Sequence, residues 1–215
     1  MSFEPCKIRH DAEFGMVAHS GTVLCRRMTF GRALGNLARA KFSLFHLIES
    51  GLTSARKFMP KLELKLKEGD VAPAFTAATN GGGTVSLSDF KGKNVILYFY
   101  PKDDTSGCTK EACGFRDRIA EFKKRGVVVL GVSPDSVKSH DKFVKKYSLP
   151  FTLLSDEDKK IVESYGVWGQ KTFWGRKYMG TYRVTFLIGP DGHIKKIWPD
   201  VDPAEHVKEV LETLT

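Results

Sequence analysis

From Val95 to Tyr100 the chain reads VILYFY, six consecutive apolar or aromatic residues, and Pro-Lys-Asp-Asp-Thr-Ser-Gly-Cys-Thr-Lys-Glu-Ala-Cys follows directly as residues 101–113. An apolar run of that length, closed by Pro101, has the character of a buried strand. From Lys110 to Lys124 the pattern becomes helical, with Ala112, Phe115, Ile119 and Phe122 on one side. A strand that gives way to a helix here puts Cys108 at or near the helix N-terminus. Unpaired N–H groups and the positive end of the helix dipole favour an anion there, so the thiol is expected to ionise below its free value of roughly 8.5. The thiolate, not the thiol, is the nucleophile.

The second cysteine, Cys113, follows five residues later. In an intact helix two such positions differ by about 140° and about 7.5 Å of rise, which separates their Cα atoms by roughly 8.7 Å. A disulfide needs about 4.4–6.8 Å. Any bond between the two thiols therefore requires the first turns of the helix to unwind, which suits a switch better than a static staple. The plainer alternative is that both are small buried hydrophobes.

Pro101, Thr105 and Cys108 stand in the Pro-x-x-x-Thr-x-x-Cys arrangement of the peroxiredoxins, and Gly-Cys-Thr-Lys-Glu-Ala-Cys-Gly-Phe-Arg-Asp (residues 107–117) resembles their peroxiredoxin Q, or bacterioferritin comigratory protein, branch. Further blocks resemble that branch in order: Val71 to Phe75, Ser86 to Phe90, Gly131 to Asp135, Leu153 to Asp156 and Thr185 to Ile188. The likeness runs from about Leu66 to the C-terminus. Ser106 departs from it, standing where the branch usually has proline.

The resemblance implies an α/β protein with a thioredoxin-like fold and peroxiredoxin additions, its central mixed sheet flanked by helices. It implies a peroxidase in which Cys108 reduces hydrogen peroxide or an organic hydroperoxide and becomes a sulfenic acid. Cys113 would condense with that acid to an intramolecular disulfide, and thioredoxin or a similar dithiol reductant would reduce it. No cofactor and no metal enter such a cycle. Arg183, ahead of Val184 to Ile188, matches the family's arginine and would supply the cation beside the sulfur; without that match it reads rather as an ordinary strand-edge surface charge. Thr105 would offer a hydroxyl, with the N–H groups around Gly107 and Cys108 as further donors. Pro101, with its fixed φ, would shape the pocket wall. A rival reading uses the same disulfide switch in a non-enzymatic redox sensor or holdase, which needs the cysteine pair but neither Thr105 nor Arg183.

Elsewhere, strand-like and helical runs alternate from about Phe75: Val127 to Val132, Val137 to Tyr147, Lys159 to Tyr165, Val184 to Ile188, a Pro190-Asp191-Gly192 turn, His193 to Trp198, and a last helix from Pro203. The aromatics Trp168, Phe173, Trp174 and Tyr178 fall between Gly166 and Gly180, a stretch read as a glycine-rich loop that either collars the active site or covers the sheet edge. No apolar run reaches the eighteen or so residues of a membrane span.

Residues 1–58 carry nine basic residues against four acidic ones, so more than half of the chain's formal charge of +9 lies ahead of the catalytic domain expected over residues 59–215. This basic extension is expected to be poorly ordered, with at most a weak helix over residues 34–49. It reads as a transit-like leader, or as sequence upstream of a natural start at Met59. Basic and acidic residues are otherwise interspersed, which argues against a nucleic-acid partner. Cys6-x3-His10 supplies at best half a zinc site, and Cys6 and Cys25 are taken as bystanders. Few cysteines and a cycling pair point to a reducing compartment, the cytoplasm, or an organelle such as the chloroplast if the extension is a transit peptide, and the peroxidase that the resemblance implies is expected to work as a monomer.

Overall fold

The computed structural model describes residues 64–173 and 175–214; the expectations for residues 1–58 and for Trp174 lie outside them. Seven strands form one mixed sheet, in the order β2 (Thr84–Ser86), β1 (Thr76–Thr79), β5 (Thr152–Ser155), β4 (Val127–Ser133), β3 (Asn94–Phe99), β8 (Val184–Ile188), β9 (Ile194–Trp198). The central strands β3, β4 and β5 run parallel, while β8 lies antiparallel to β3 with Thr185 opposite Tyr98. Helices cover both faces, which is why β3 is apolar at nearly every position and not at every second one.

Strand alternation divides the core in two. Ile96 and Tyr98 face one side, where they meet Phe115, Phe122, Phe143, Val207 and Val210. These come from α1 (Ser106–Asp117), α2 (Ile119–Lys124), α3 (Val137–Tyr147) and α5 (His206–Thr213). Val95, Leu97 and Phe99 face the other side and meet Phe186, Tyr165, and Ile161 and Val162 of α4 (Lys160–Ser164). Phe115 is the main apolar anchor of α1: fully buried, its ring lies 4.8 Å from that of Tyr98 and 5.7 Å from that of Phe122.

Two expectations need correction. The helix after the first cysteine begins at Ser106, four residues earlier than its apolar periodicity, and breaks at Arg118 (φ −112°, ψ 10°) instead of running on to Lys124. The stretch read as a glycine-rich loop is a β-hairpin of β6 (Trp168–Phe173) and β7 (Arg176–Thr181), which pair only with each other. Two of its glycines lie within the strands: Gly169 faces Gly180 in register, and a Cβ on Gly169 would come within 3.0 Å of the Tyr182 ring. These two allow close packing, while Gly166 (φ +69°) and Gly175 (φ +76°) do mark turns, the latter between the two strands. No helix among the described residues is long and apolar enough to cross a membrane.

Candidate active site

The loop after β3 ends at Thr105, whose extended backbone (φ −89°, ψ 150°) makes it the cap residue of α1. Cys108 is then the third helical residue, and its side chain is almost fully buried, at 2% exposure. Cys113 lies about one and a half turns on in the same unbroken helix, also buried, and the two are not joined in a disulfide.

Arg183 comes from the two-residue link between β7 and β8. Its Nη2 donates to Cys108 Sγ at 3.3 Å, and its Nη1 donates to Glu111 Oε2. One guanidinium fork thus spans the Cys108 sulfur and a carboxylate one turn further along α1. Gly107 makes room for it, since a Cβ there would meet Arg183 Nη2 at 3.3 Å.

Glu111 is completely buried. Burial pushes its carboxyl up to about 7, against the pull of Arg183 in the other direction. Burial alone would favour discharge of the guanidinium, but Glu111 and Cys108 outweigh it and hold Arg183 firmly charged. Behind the pair, the Tyr98 hydroxyl is kept neutral chiefly by burial and next by Glu111 and Cys108. Among the described residues neither Tyr98 Oη nor Glu111 Oε1 has a hydrogen-bond partner.

Thr105 is exposed, and its Oγ1 donates to the Lys102 carbonyl at 3.1 Å. Its proton is therefore committed to the loop, and its lone pairs are left to accept from an incoming O–H. Pro101 is half-buried directly after β3. The loop between them is pinned by Asp103, a buried carboxylate that accepts from Tyr100 Oη and Ser139 Oγ, both at 2.7 Å, and contacts His140 Nδ1 at 2.9 Å. The other nitrogen of His140 faces the Leu154 carbonyl at 3.2 Å. The Asp103 backbone N–H in turn donates to Asp135 at 2.8 Å. The neighbouring Asp104, at φ +56°, accepts from Lys146 and Tyr147 and ties the same loop to the end of α3.

Cys108 and Arg183 are thus brought into contact, Thr105 caps the helix that carries Cys108, and Cys113 is held apart along that helix. Glu111 and Asp103 were missed from sequence. For Glu111 a signal existed: it sits three residues after Cys108 and next to Ala112, on the face that Phe115 buries. A cleft of about 430 Å³ lined by Val71, Leu87, Phe90, Val95 and Ile188 lies elsewhere, at the start of β3 and the end of β8. The cysteine follows the opposite end of β3.

A reduced sulfur held at a helix terminus under a permanent cation can give two electrons to an electrophile and then be regenerated by another thiol, the chemistry of thioredoxin-fold thiol enzymes. Comparison with known proteins narrows this class. The AhpC/TSA family model matches residues 69–197. A bcp-type peroxiredoxin of Coxiella burnetii is 56% identical over 151 residues, 70% of this chain and 100% of its own length. Peroxiredoxin Bcp of Escherichia coli K12 is 48% identical over 149 residues, 69% of this chain and 96% of the relative. Among solved structures, Xanthomonas campestris bacterioferritin comigratory protein, described for its alkyl peroxide reduction activity, matches with a TM-score of 0.64 at 36% identity, covering 71% of this chain and 97% of that one. The chain belongs to the peroxiredoxin (AhpC/TSA) family, on its Bcp branch, and is a thiol-dependent peroxidase that takes a peroxide substrate and a thiol reductant.

Proposed function

We propose that the protein reduces hydrogen peroxide and organic hydroperoxides by a two-cysteine cycle within one chain and is recycled by thioredoxin. The observation that carries this reading is the contact between Arg183 and Cys108 at the start of α1. Cys108 thiolate attacks the distal peroxide oxygen; the O–O bond breaks, an S–O bond forms, and the leaving oxygen departs with a proton as water or an alcohol. Arg183 and the N–H groups at the start of α1 are the donors that meet charge moving onto the leaving oxygen, while the Thr105 oxygen accepts from the O–H of the incoming peroxide. Pro101 walls the same loop.

The sulfenic acid at Cys108 then condenses with Cys113, releasing water and forming the disulfide. Five residues of intact helix separate the two, so the start of α1 unwinds for this step. The composition of that segment supports the reading. Ser106-Gly107-Cys108-Thr109-Lys110 has no large apolar side chain, and Gly107 alone weakens a helix by about 1 kcal/mol relative to alanine. Thioredoxin's dithiol takes the disulfide through a mixed disulfide and restores both thiols. We place this cycle in a monomer in the cytoplasm, where thiols stay reduced.

The test is NADPH consumption by the full chain with thioredoxin, thioredoxin reductase and hydrogen peroxide, beside Cys108→Ser and Cys113→Ser. Turnover is expected to vanish in Cys108→Ser and to stop after one equivalent of peroxide in Cys113→Ser. Absence of turnover, despite a Cys108–Cys113 disulfide seen by mass spectrometry, would favour the sensor or holdase reading.

A further inference from the structure

Lys171 stands in the middle of β6, paired with Tyr178 of β7. Its ammonium donates to the Thr181 carbonyl at 2.6 Å and lies 5.0 Å from the centre of the Tyr182 ring. It is therefore moored to the two residues that precede Arg183, the residue in contact with the sulfur. Burial first, and then Arg183, pull this ammonium below the ordinary lysine value, while Cys108 pulls the other way. Lys171 thus sits in the field of both groups.

Among the described residues no carboxylate pairs with it. The buried carboxylate of the site, Glu111, is engaged by Arg183. A half-buried cation with no counter-ion has lost water without gaining an anion, and an arriving anion offsets that loss. The carbonyl and the ring occupy part of the ammonium, which carries three donors. Arg183 already directs Nη2 at Cys108 and Nη1 at Glu111, whereas Lys171 has no anion among the described residues.

We propose that Lys171 is a specificity-determining residue that favours hydroperoxides carrying a carboxylate over neutral ones of the same size. The inference rests on the peroxidase reading and leaves its chemistry unchanged: Cys108 takes the distal oxygen, and the carboxylate is held at Lys171 without reacting.

The full chain is assayed with thioredoxin and its reductase on two probes, cumene hydroperoxide bearing a meta carboxylate and the methyl ester of the same compound. One extra ion pair at a half-exposed site is worth about 1 kcal/mol, so the acid is expected to show a KM roughly fivefold below that of the ester. Lys171→Met brings the two KM values together by raising that of the acid; Lys171→Arg keeps them apart. Equal KM values in the unmodified protein would overturn the inference, and so would a Lys171→Met variant whose kcat falls alike on both probes, which would mark a purely structural lysine. Turnover of hydrogen peroxide in the same assay separates those results from failure of the peroxidase reading, which would remove both.

Discussion

At the scale of single residues, one guanidinium does two jobs at once. Arg183 reaches Cys108 Sγ at 3.3 Å and Glu111 in the same pose, and a lysine presents a single point charge that cannot span both. Arg183→Lys is therefore expected to lower kcat/KM for hydrogen peroxide by roughly 100-fold, the scale seen when one preorganised donor is lost. Glu111→Gln keeps an acceptor for the arginine but removes the charge, so a smaller loss of roughly tenfold is expected. Competition kinetics against a second peroxidase measures both, and an Arg183→Lys variant within twofold of the unmodified protein would show that charge alone suffices. The contact between Cys108 and Arg183 was legible because both stand at positions that match a family motif. Glu111 was not, because a carboxylate between Lys110 and Ala112 reads as solvated until the partner that offsets its burial is known. That partner lies 72 residues away.

At the scale of elements, the long and strongly patterned segments were readable, with α3 matching its expected span over Val137–Tyr147 and β8 over Val184–Ile188. The short strands on the β2 side of the sheet were not. β1, β2 and β5 are three or four residues each, TAAT, TVS and TLLS, too short and too polar for a periodic signal. They become strands because neighbours supply the hydrogen bonds. The start of α1 shows the reverse: Ser106 and Gly107 have weak helical preference, yet the helix begins there, over the guanidinium of Arg183. Such a turn is conditional on its tertiary contact. Ser106 is the first helical residue, where proline is tolerated because the N–H has no helical partner. Ser106→Pro is expected to stabilise the reduced protein by about 0.5–1 kcal/mol through a stiffer unfolded chain. It should also slow formation of the Cys108–Cys113 disulfide after one equivalent of peroxide. Urea unfolding of the reduced protein and quenched mass spectrometry measure the two effects; an unchanged or faster disulfide step would mean that helix opening does not limit resolution.

At the scale of the whole molecule, the active-site face of the sheet is closed by α5, and the joint is a titratable ring. His206 is fully buried, with Nε2 at 2.8 Å from Thr185 Oγ1 and its ring edge-on to Phe115 and Trp198. Burial, helped by Arg183, pushes its ionisation down to about 4. The unfolded chain takes up that proton near 6.5, so between about 6.5 and 4 it binds a proton that the folded protein refuses. Stability from this group is complete above that window and falls as the pH drops through it, by up to roughly 3 kcal/mol at about 1.4 kcal/mol per unit. Glu111 acts in the opposite sense. Its folded value of about 7 lies above the ordinary 4.5, so its contribution is complete at low pH and is lost as the pH rises towards 7. The two slopes oppose each other between 4.5 and 6.5, which flattens the profile of the intact protein. His206→Asn should unmask the second slope, giving a variant that loses stability as the pH rises from 4.5 to 7. Its deficit relative to the unmodified protein should be largest near pH 7.5 and smaller by roughly 2–3 kcal/mol at pH 4.5. Chemical unfolding of both proteins across that range, with the cysteines kept reduced, gives the difference directly, and a deficit that does not change with pH would mean that His206 binds its proton as readily in the folded protein as in the unfolded chain.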